Sequence, residues 1–184
     1  MKFILVRHTT TDWNSVGRIQ GHADIALNKQ GTSEAEALGV LLLNQGIGLI
    51  VSSDLMRAKE TAEIINWSLN VPLLLDKRLR ECSFGKLQGL TKTEAVKQYG
   101  DTIIKNWDDQ FSAYNFHSFG GEERNQVLAR HLAVLKSIAK ENKGKTVLIV
   151  GHDRGLCTLL SGLGETPELN VGEYKIIEYN IDMR

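Results

Sequence analysis

Five residues scattered along this 184-residue chain carry side chains suited to one task, the handling of a phosphoryl group: Arg7, His8, Arg57, Glu81 and His152. A guanidinium is a planar fork that matches phosphate oxygens and keeps its charge at neutral pH. An imidazole with a free ring nitrogen can attack phosphorus and split one hard displacement into two easier ones. A second imidazole can donate to phosphoryl oxygens as charge redistributes. A glutamic acid can protonate a leaving alkoxide and later deprotonate the water that clears the intermediate. Taken singly, each has a structural alternative. Arg-His at a strand end could be a packed pair, and His152 could bond a neighbouring carbonyl. Arg57 could be a solvated helix residue and Glu81 an ordinary loop acid. A metal site is a further alternative, although no HxH or HxxE spacing supports one.

What would bring the five together is the order of the elements around them. Apolar runs at 3–6, 47–52, 71–75 and 146–150, with a last one at 174–181, are short and bounded by Gly, Pro or charge. Such runs suit strands buried on both faces of a mostly parallel sheet. Helical patterns lie between them. Ser33 to Glu36 reads as a capping box leading into Leu38, Leu41 and Leu42. Ser53 or Asp54 is expected to cap the next helix, which carries Arg57 in its first turn. Residues 122–142 form the longest pattern, and a short helix is expected after Gly155. Strands alternating with helices predict an α/β fold, a three-layer α/β/α sandwich. In such sheets, sites gather beyond the carboxyl ends of the strands. Arg7, His8 and His152 follow strands, and Arg57 opens the helix after one.

The bulk composition excludes several classes. Lys plus Arg and Asp plus Glu are both 22, so there is no basic excess to suggest nucleic acid. Two distant cysteines, Cys82 and Cys157, make neither a disulfide framework nor a ligand cluster and fit a reducing cytosol. No segment approaches the ~20 apolar residues of a membrane helix. A cytoplasmic location with no membrane partner is the expectation. The least regular stretch, 78–121, holds Phe84, Trp107, Phe111, Tyr114, Phe116 and Phe119. It reads as an insertion or lid over one end of a single domain spanning 1–184.

Six ordered segments carry a family likeness: FILVRHTTTDWN, GRIQGHADIALNKQG, IVSSDLMRAKETAEII, RLRECSFGKLQGLT, FGGEERNQVLAR and VLIVGHDRGL. The chain resembles the histidine phosphatase superfamily, which includes the cofactor-dependent phosphoglycerate mutases and many small phosphatases. The resemblance implies a phosphoglycerate mutase-like sandwich acting on a small phosphorylated substrate, with neither metal nor nucleotide cofactor. It implies His8 as the phosphorylated nucleophile, with Arg7, Arg57 and His152 around the phosphoryl group and Asn14 assisting. Glu81 would be the proton donor, and Gln20 and Gly21 would approach phosphate or substrate. Thr9 and Asp153 stand where the family usually has glycine. The Thr9 hydroxyl could reach phosphate, whereas Asp153 is expected to point away and cap the helix beginning near Arg154.

Lys92 matches a lysine that contacts substrate in the mutases. Cys82 and Phe84 stand where the mutases have arginine and tyrosine, and Asp108 and Asp109 where they have two arginines. Two negative charges in place of two positive ones oppose a phosphoglycerate substrate. Phosphomonoester hydrolysis is therefore the favoured expectation. Mutase-type phosphoryl transfer and a catalytically weakened phosphate-binding module are the alternatives.

Overall fold

The computed structural model describes residues 1–101, 103, 107 and 113–180. Five strands, β1 (Lys2–Arg7), β2 (Ile47–Ser52), β3 (Leu73–Leu75), β4 (Thr146–Gly151) and β5 (Tyr174–Glu178), form one sheet in the order β3-β2-β4-β1-β5. All neighbours are parallel except β5, which runs antiparallel to β1. The last strand is thus shorter than the 174–181 apolar run, whose residue 181 lies outside the described residues.

Successive side chains of a strand point to opposite faces, and here both faces are covered. Phe3, Leu5, Val147 and Ile149 pack with Leu135, Leu156 and Leu160 on one side. Ile4, Val6, Leu148 and Val150 pack with Leu38, Leu42, Ala62 and Ile65 on the other. The first side is roofed by α5 (Arg124–Glu141) and α6 (Asp153–Leu163), the second by α2 (Lys29–Leu42) and α3 (Met56–Leu69). Two short helices, α1 (Asp12–Ser15) and α4 (Lys92–Tyr99), lie outside these layers in sequence order. The three-layer sandwich is as expected.

The helix starts differ from expectation because distant partners supply the caps. Helix α2 begins four residues before Ser33, with the Asn28 side chain accepting from the Gly31 N–H at 2.9 Å. Ser33 lies inside the helix and bonds back to the Lys29 carbonyl. Its neighbour Glu34 instead holds the Thr10 N–H and hydroxyl. Neither Ser53 nor Asp54 caps α3 as proposed. Leu55 occupies the cap position, and Asp24, 32 residues upstream, accepts from the Met56 N–H at 2.6 Å. Asp54 makes a two-pronged pair with Arg80 at 2.7 Å for each contact.

Within 78–121, the described residues form a third cluster in which Cys82, Phe84, Leu87, Ala95, Tyr114 and Phe116 are buried with Ile19 and Val127. Three of the aromatic residues predicted for this stretch therefore serve mainly as core, with Phe84 meeting Phe116 edge-on at 5.0 Å. Phe111, Asp108 and Asp109 lie outside the described residues.

Candidate active site

Strands β1 and β4 are adjacent, and their register pairs Arg7 with Gly151. The next residue on each chain is a histidine, so the sheet itself brings residues 144 positions apart side by side. The His8 N–H bonds the Gly151 carbonyl at 2.9 Å, and the two rings stand 5.3 Å apart. His8 Nδ1 lies 2.7 Å from the Thr9 carbonyl, which can only accept, so Nδ1 carries the proton. The lone pair is left on Nε2, where the Arg57 Nε–H donates to it at 3.2 Å. His152 meets the Ser53 hydroxyl through Nε2 at 2.8 Å, while its buried Nδ1 has no hydrogen-bond partner among the described residues. Burial, reinforced by the Arg57 charge, holds both imidazoles well below the usual histidine value. Both rings are neutral at physiological pH.

Arg57 is 1% exposed. Its two terminal nitrogens donate to the Gly21 and Ala23 carbonyls at 2.8 and 2.9 Å, which leaves its Nε edge on His8. Burial pulls its pKa down to about 10, so it keeps its charge at neutral pH. The loop that receives it turns at Gly21, with φ +52°. A Cβ there would lie 2.3 Å from the Gln88 side-chain oxygen, which accepts from the His22 N–H at 2.8 Å. The positive φ favours glycine at this position, and a side chain there would also displace Gln88 from the His22 N–H.

Glu81 arrives from a loop, and backbone donors hold it. Its Oε1 accepts from the Cys82 and Gly155 N–H groups at 2.8 and 2.9 Å, and its Oε2 from the Arg154 N–H at 3.2 Å. The first turn of α6 thus addresses a carboxylate, as a helix N-terminus favours. Arg130 fixes the loop from behind, donating to the Glu81 carbonyl at 2.8 Å while paired with Glu122. His131 packs beneath Gly155, where an added Cβ would come within 2.7 Å of its ring nitrogen.

A cavity of about 130 Å³ is lined by Arg7, His8, Asn14, Gln20, Gly21, Arg57 and Glu81. Seven of the eight predicted residues therefore share one space. His152, wholly buried, stands behind His8 rather than in the lining. Asn14 gives its carbonyl oxygen to Thr11, leaving its NH₂ as the group available to the cavity. The Gln20 Oε1 is buried without a hydrogen-bond partner among the described residues. A roomier groove of about 740 Å³, lined by Leu27, Glu60, Trp67 and Leu73 among others, contains none of these groups. Among the described residues, no cluster of three His, Cys, Asp or Glu is placed to hold a metal, and no helix is long and apolar enough to cross a membrane.

Thr9 and Asp153 depart from expectation. Thr9 has an ordinary backbone conformation, and its hydroxyl lies 3.2 Å from that of Thr61 in full burial rather than in the cavity lining. Asp153 neither points away nor caps α6, since His152 holds the cap position. Its Oδ1 pairs with the Arg7 Nη1 at 2.9 Å, and the residue lines the cavity. Opposite charges at the cavity wall draw the carboxylate inward, where a helix cap would have turned it outward. Five further residues complete the lining and are not among the predicted site residues: Arg18, Ile19, Phe84, Trp107 and Arg154. Arg154 is stacked among Phe84, Trp107, Tyr114 and Phe116 at 4.6–5.6 Å. Lys92 is not in the lining and sits over the Trp107 ring at 5.5 Å.

The sequence and the fold have counterparts among known proteins. Residues 3–181 match the model of the histidine phosphatase superfamily, branch 1, and the chain belongs to that family. It is 34% identical over 166 residues to the uncharacterized phosphatase PhoE of Bacillus subtilis, covering 90% of this chain and 79% of that protein. It is also 29% identical over 205 residues to a 2,3-bisphosphoglycerate-dependent phosphoglycerate mutase of Corynebacterium glutamicum, covering 95% and 82%. Bacillus stearothermophilus YhfR superposes with a TM-score of 0.85 at 32% identity, covering 97% of this chain and 91% of that one.

The buried histidines have a measurable consequence. In an unfolded chain, imidazoles take up protons below about pH 6.5. In the fold, burial keeps His8 and His152 neutral well below that, and His131 down to about 3. The unfolded state therefore binds more protons in this window, and stability falls as pH drops through it. The slope is ~1.4 kcal/mol per pH unit for each histidine still neutral in the fold. Denaturant midpoints at pH 7.5 and pH 5 measure this, and the lower midpoint is expected at pH 5. Equal midpoints would mean these rings titrate normally in the fold.

Proposed function

We propose that the protein hydrolyses small phosphomonoesters through a phosphohistidine formed on His8. One observation carries this reading. The His8 ring is neutral, its Nδ1 proton is tied to Thr9, and its Nε2 lone pair lies against the Arg57 guanidinium at a cavity wall. A nucleophile and the cation that would hold its target thus occupy one edge of one small space.

In the first step the Nε2 lone pair forms a bond to phosphorus and the phosphorus–oxygen bond to the alcohol breaks. Glu81, in its acid form, gives its proton to the leaving oxygen. Its Oε2, with one backbone donor, is the oxygen with room for that proton. Arg57 and Arg7 take the equatorial oxygens, and the Asn14 amide supplies a further contact from the lining. In the second step Glu81 takes a proton from water, the water oxygen bonds to phosphorus, and the nitrogen–phosphorus bond breaks. Phosphate leaves, and Nε2 recovers its electron pair. Phe84 and Trp107, from the described part of the 78–121 stretch, wall one side of the cavity as a partial lid would.

Incubation with an activated aryl phosphate tests the reading. A phosphoenzyme that is labile to acid, stable to alkali and mapped to His8 is expected. Supplying 3-phosphoglycerate with bisphosphoglycerate separates hydrolysis from mutase chemistry. Formation of 2-phosphoglycerate without phosphate release would assign a mutase. No turnover across a panel of monoesters would leave a phosphate-binding module.

A further inference from the structure

We infer that Asp153 selects the alcohol half of the substrate by charge, favouring monoesters whose alcohol carries an ammonium group and disfavouring those with a carboxylate. The inference rests on the phosphatase reading and specifies its substrate class. Glu81, which protonates the leaving oxygen in that reading, is bound by the N–H groups of Arg154 and Gly155. The alcohol therefore departs over the first turn of α6, where Asp153 is the opening residue. The Asp153 side chain is 41% exposed, and its Oδ1 is on Arg7 at 2.9 Å. Its Oδ2 accepts no hydrogen bond from the described residues.

The other charges around the cavity are committed elsewhere. Arg57 and Arg7 address the phosphoryl group. Arg18 bonds the Gly89 carbonyl and pairs with Glu94. Arg154 is 4% exposed, with its guanidinium stacked among four aromatic rings. An anionic alcohol thus meets a carboxylate, and the two cations left in the lining are already engaged, Arg18 by Glu94 and Arg154 by the aromatic rings. A second cavity of about 430 Å³ shares Arg7 and Asp153 with the first. Its remaining lining includes Glu168 and Asn170 and no further basic residue. An ammonium group entering from the phosphate site gains two carboxylates, and a carboxylate gains none.

Three phosphonates of similar size and different terminal charge read this directly, without requiring turnover. They are 2-aminoethylphosphonate, n-propylphosphonate and 3-phosphonopropionate. Calorimetry on the intact chain is expected to rank them in that order, with about tenfold between the first and last. In Asp153→Asn, which keeps the shape and removes the charge, the spread should collapse to within about twofold. The corresponding esters, ethanolamine phosphate and 3-phosphoglycerate, should show the same change in kcat/KM ratio. A spread that is absent in the wild type, or that survives in Asp153→Asn, overturns the inference even if His8-dependent hydrolysis is intact. Charge-ranked binding without hydrolysis of any ester would instead keep the selectivity of the cavity and overturn the phosphatase reading.

Discussion

His8→Ala is expected to reduce phosphomonoester turnover by on the order of 10⁴–10⁶-fold, the scale for removing a covalent nucleophile. No other group can take its place. His152 sits behind the ring and outside the cavity lining, and Cys82 is buried with its thiol pushed well above the usual range by desolvation. Water attacking phosphorus directly would have to come from the direction now filled by imidazole. The fold should tolerate the change, since a neutral ring is lost rather than a charge, together with its hydrogen bonds to the Thr9 carbonyl and from the Arg57 Nε–H. Leaving that buried carbonyl unpaired costs about 1–3 kcal/mol. His8→Gln removes the imidazole while leaving a side-chain amide, and serves as the second variant. Activity is measured with an aryl phosphate, and retained folding by the denaturant midpoint. Turnover within tenfold of wild type in both variants, at unchanged phosphate affinity, would sink the phosphohistidine mechanism.

Glu81→Gln should produce a loss whose size depends on the leaving group. An alkyl alcohol leaves as a strong base and needs a proton in the transition state, so turnover should fall by about 10²–10⁴. An activated phenol leaves without help, so phosphorylation of His8 should proceed at close to the wild-type rate. The second step then fails, because glutamine cannot take a proton from water. With an aryl phosphate the variant should release one equivalent of phenol in a burst and accumulate phosphoenzyme. Rapid-quench kinetics on the two substrate classes makes the comparison. The geometry bears on this choice of variant, since Gln can still accept the Gly155 N–H through its carbonyl and so keep the loop seated. Equal losses on both substrates, with no burst, would assign Glu81 a structural role.

How much of this was legible beforehand follows from the kind of signal each feature leaves. The strands were read nearly to the residue because a sheet covered on both faces demands uninterrupted apolar runs, and β1, β2 and β4 are such runs. Residues at strand ends were then located by counting, which is why Arg7, His8, Arg57 and His152 came out adjacent. Helix starts were read poorly. The Ser33–Glu36 pattern is a valid local cap, yet Glu34 is recruited by Thr10, and Asn28 serves α2 in its place. The cap on α3 comes from Asp24, a partner that no window around Met56 contains. Asp153 was misread for a related reason. Its helix-start position suggested a local cap, whereas an arginine from β1 decided its orientation. The aromatic surround of Arg154 draws on Phe84, Trp107, Tyr114 and Phe116, from 38 to 70 positions upstream, and leaves no local trace.

The sheet order has a bearing on biosynthesis. Among the described residues, strand β1 pairs only with β4 and β5, both from the last quarter of the chain, so the first strand made has no such sheet neighbour until some 140 residues later. At a ribosomal rate of about 5–20 residues per second, that apolar strand waits roughly 7–28 s for its place. Strands β2 and β3 are contiguous and can dock on α3 early, but they hold neither histidine. Insertion of β1 beside β4 is therefore the step that joins His8 to His152, and phosphoryl chemistry on His8 would report that the central sheet has closed.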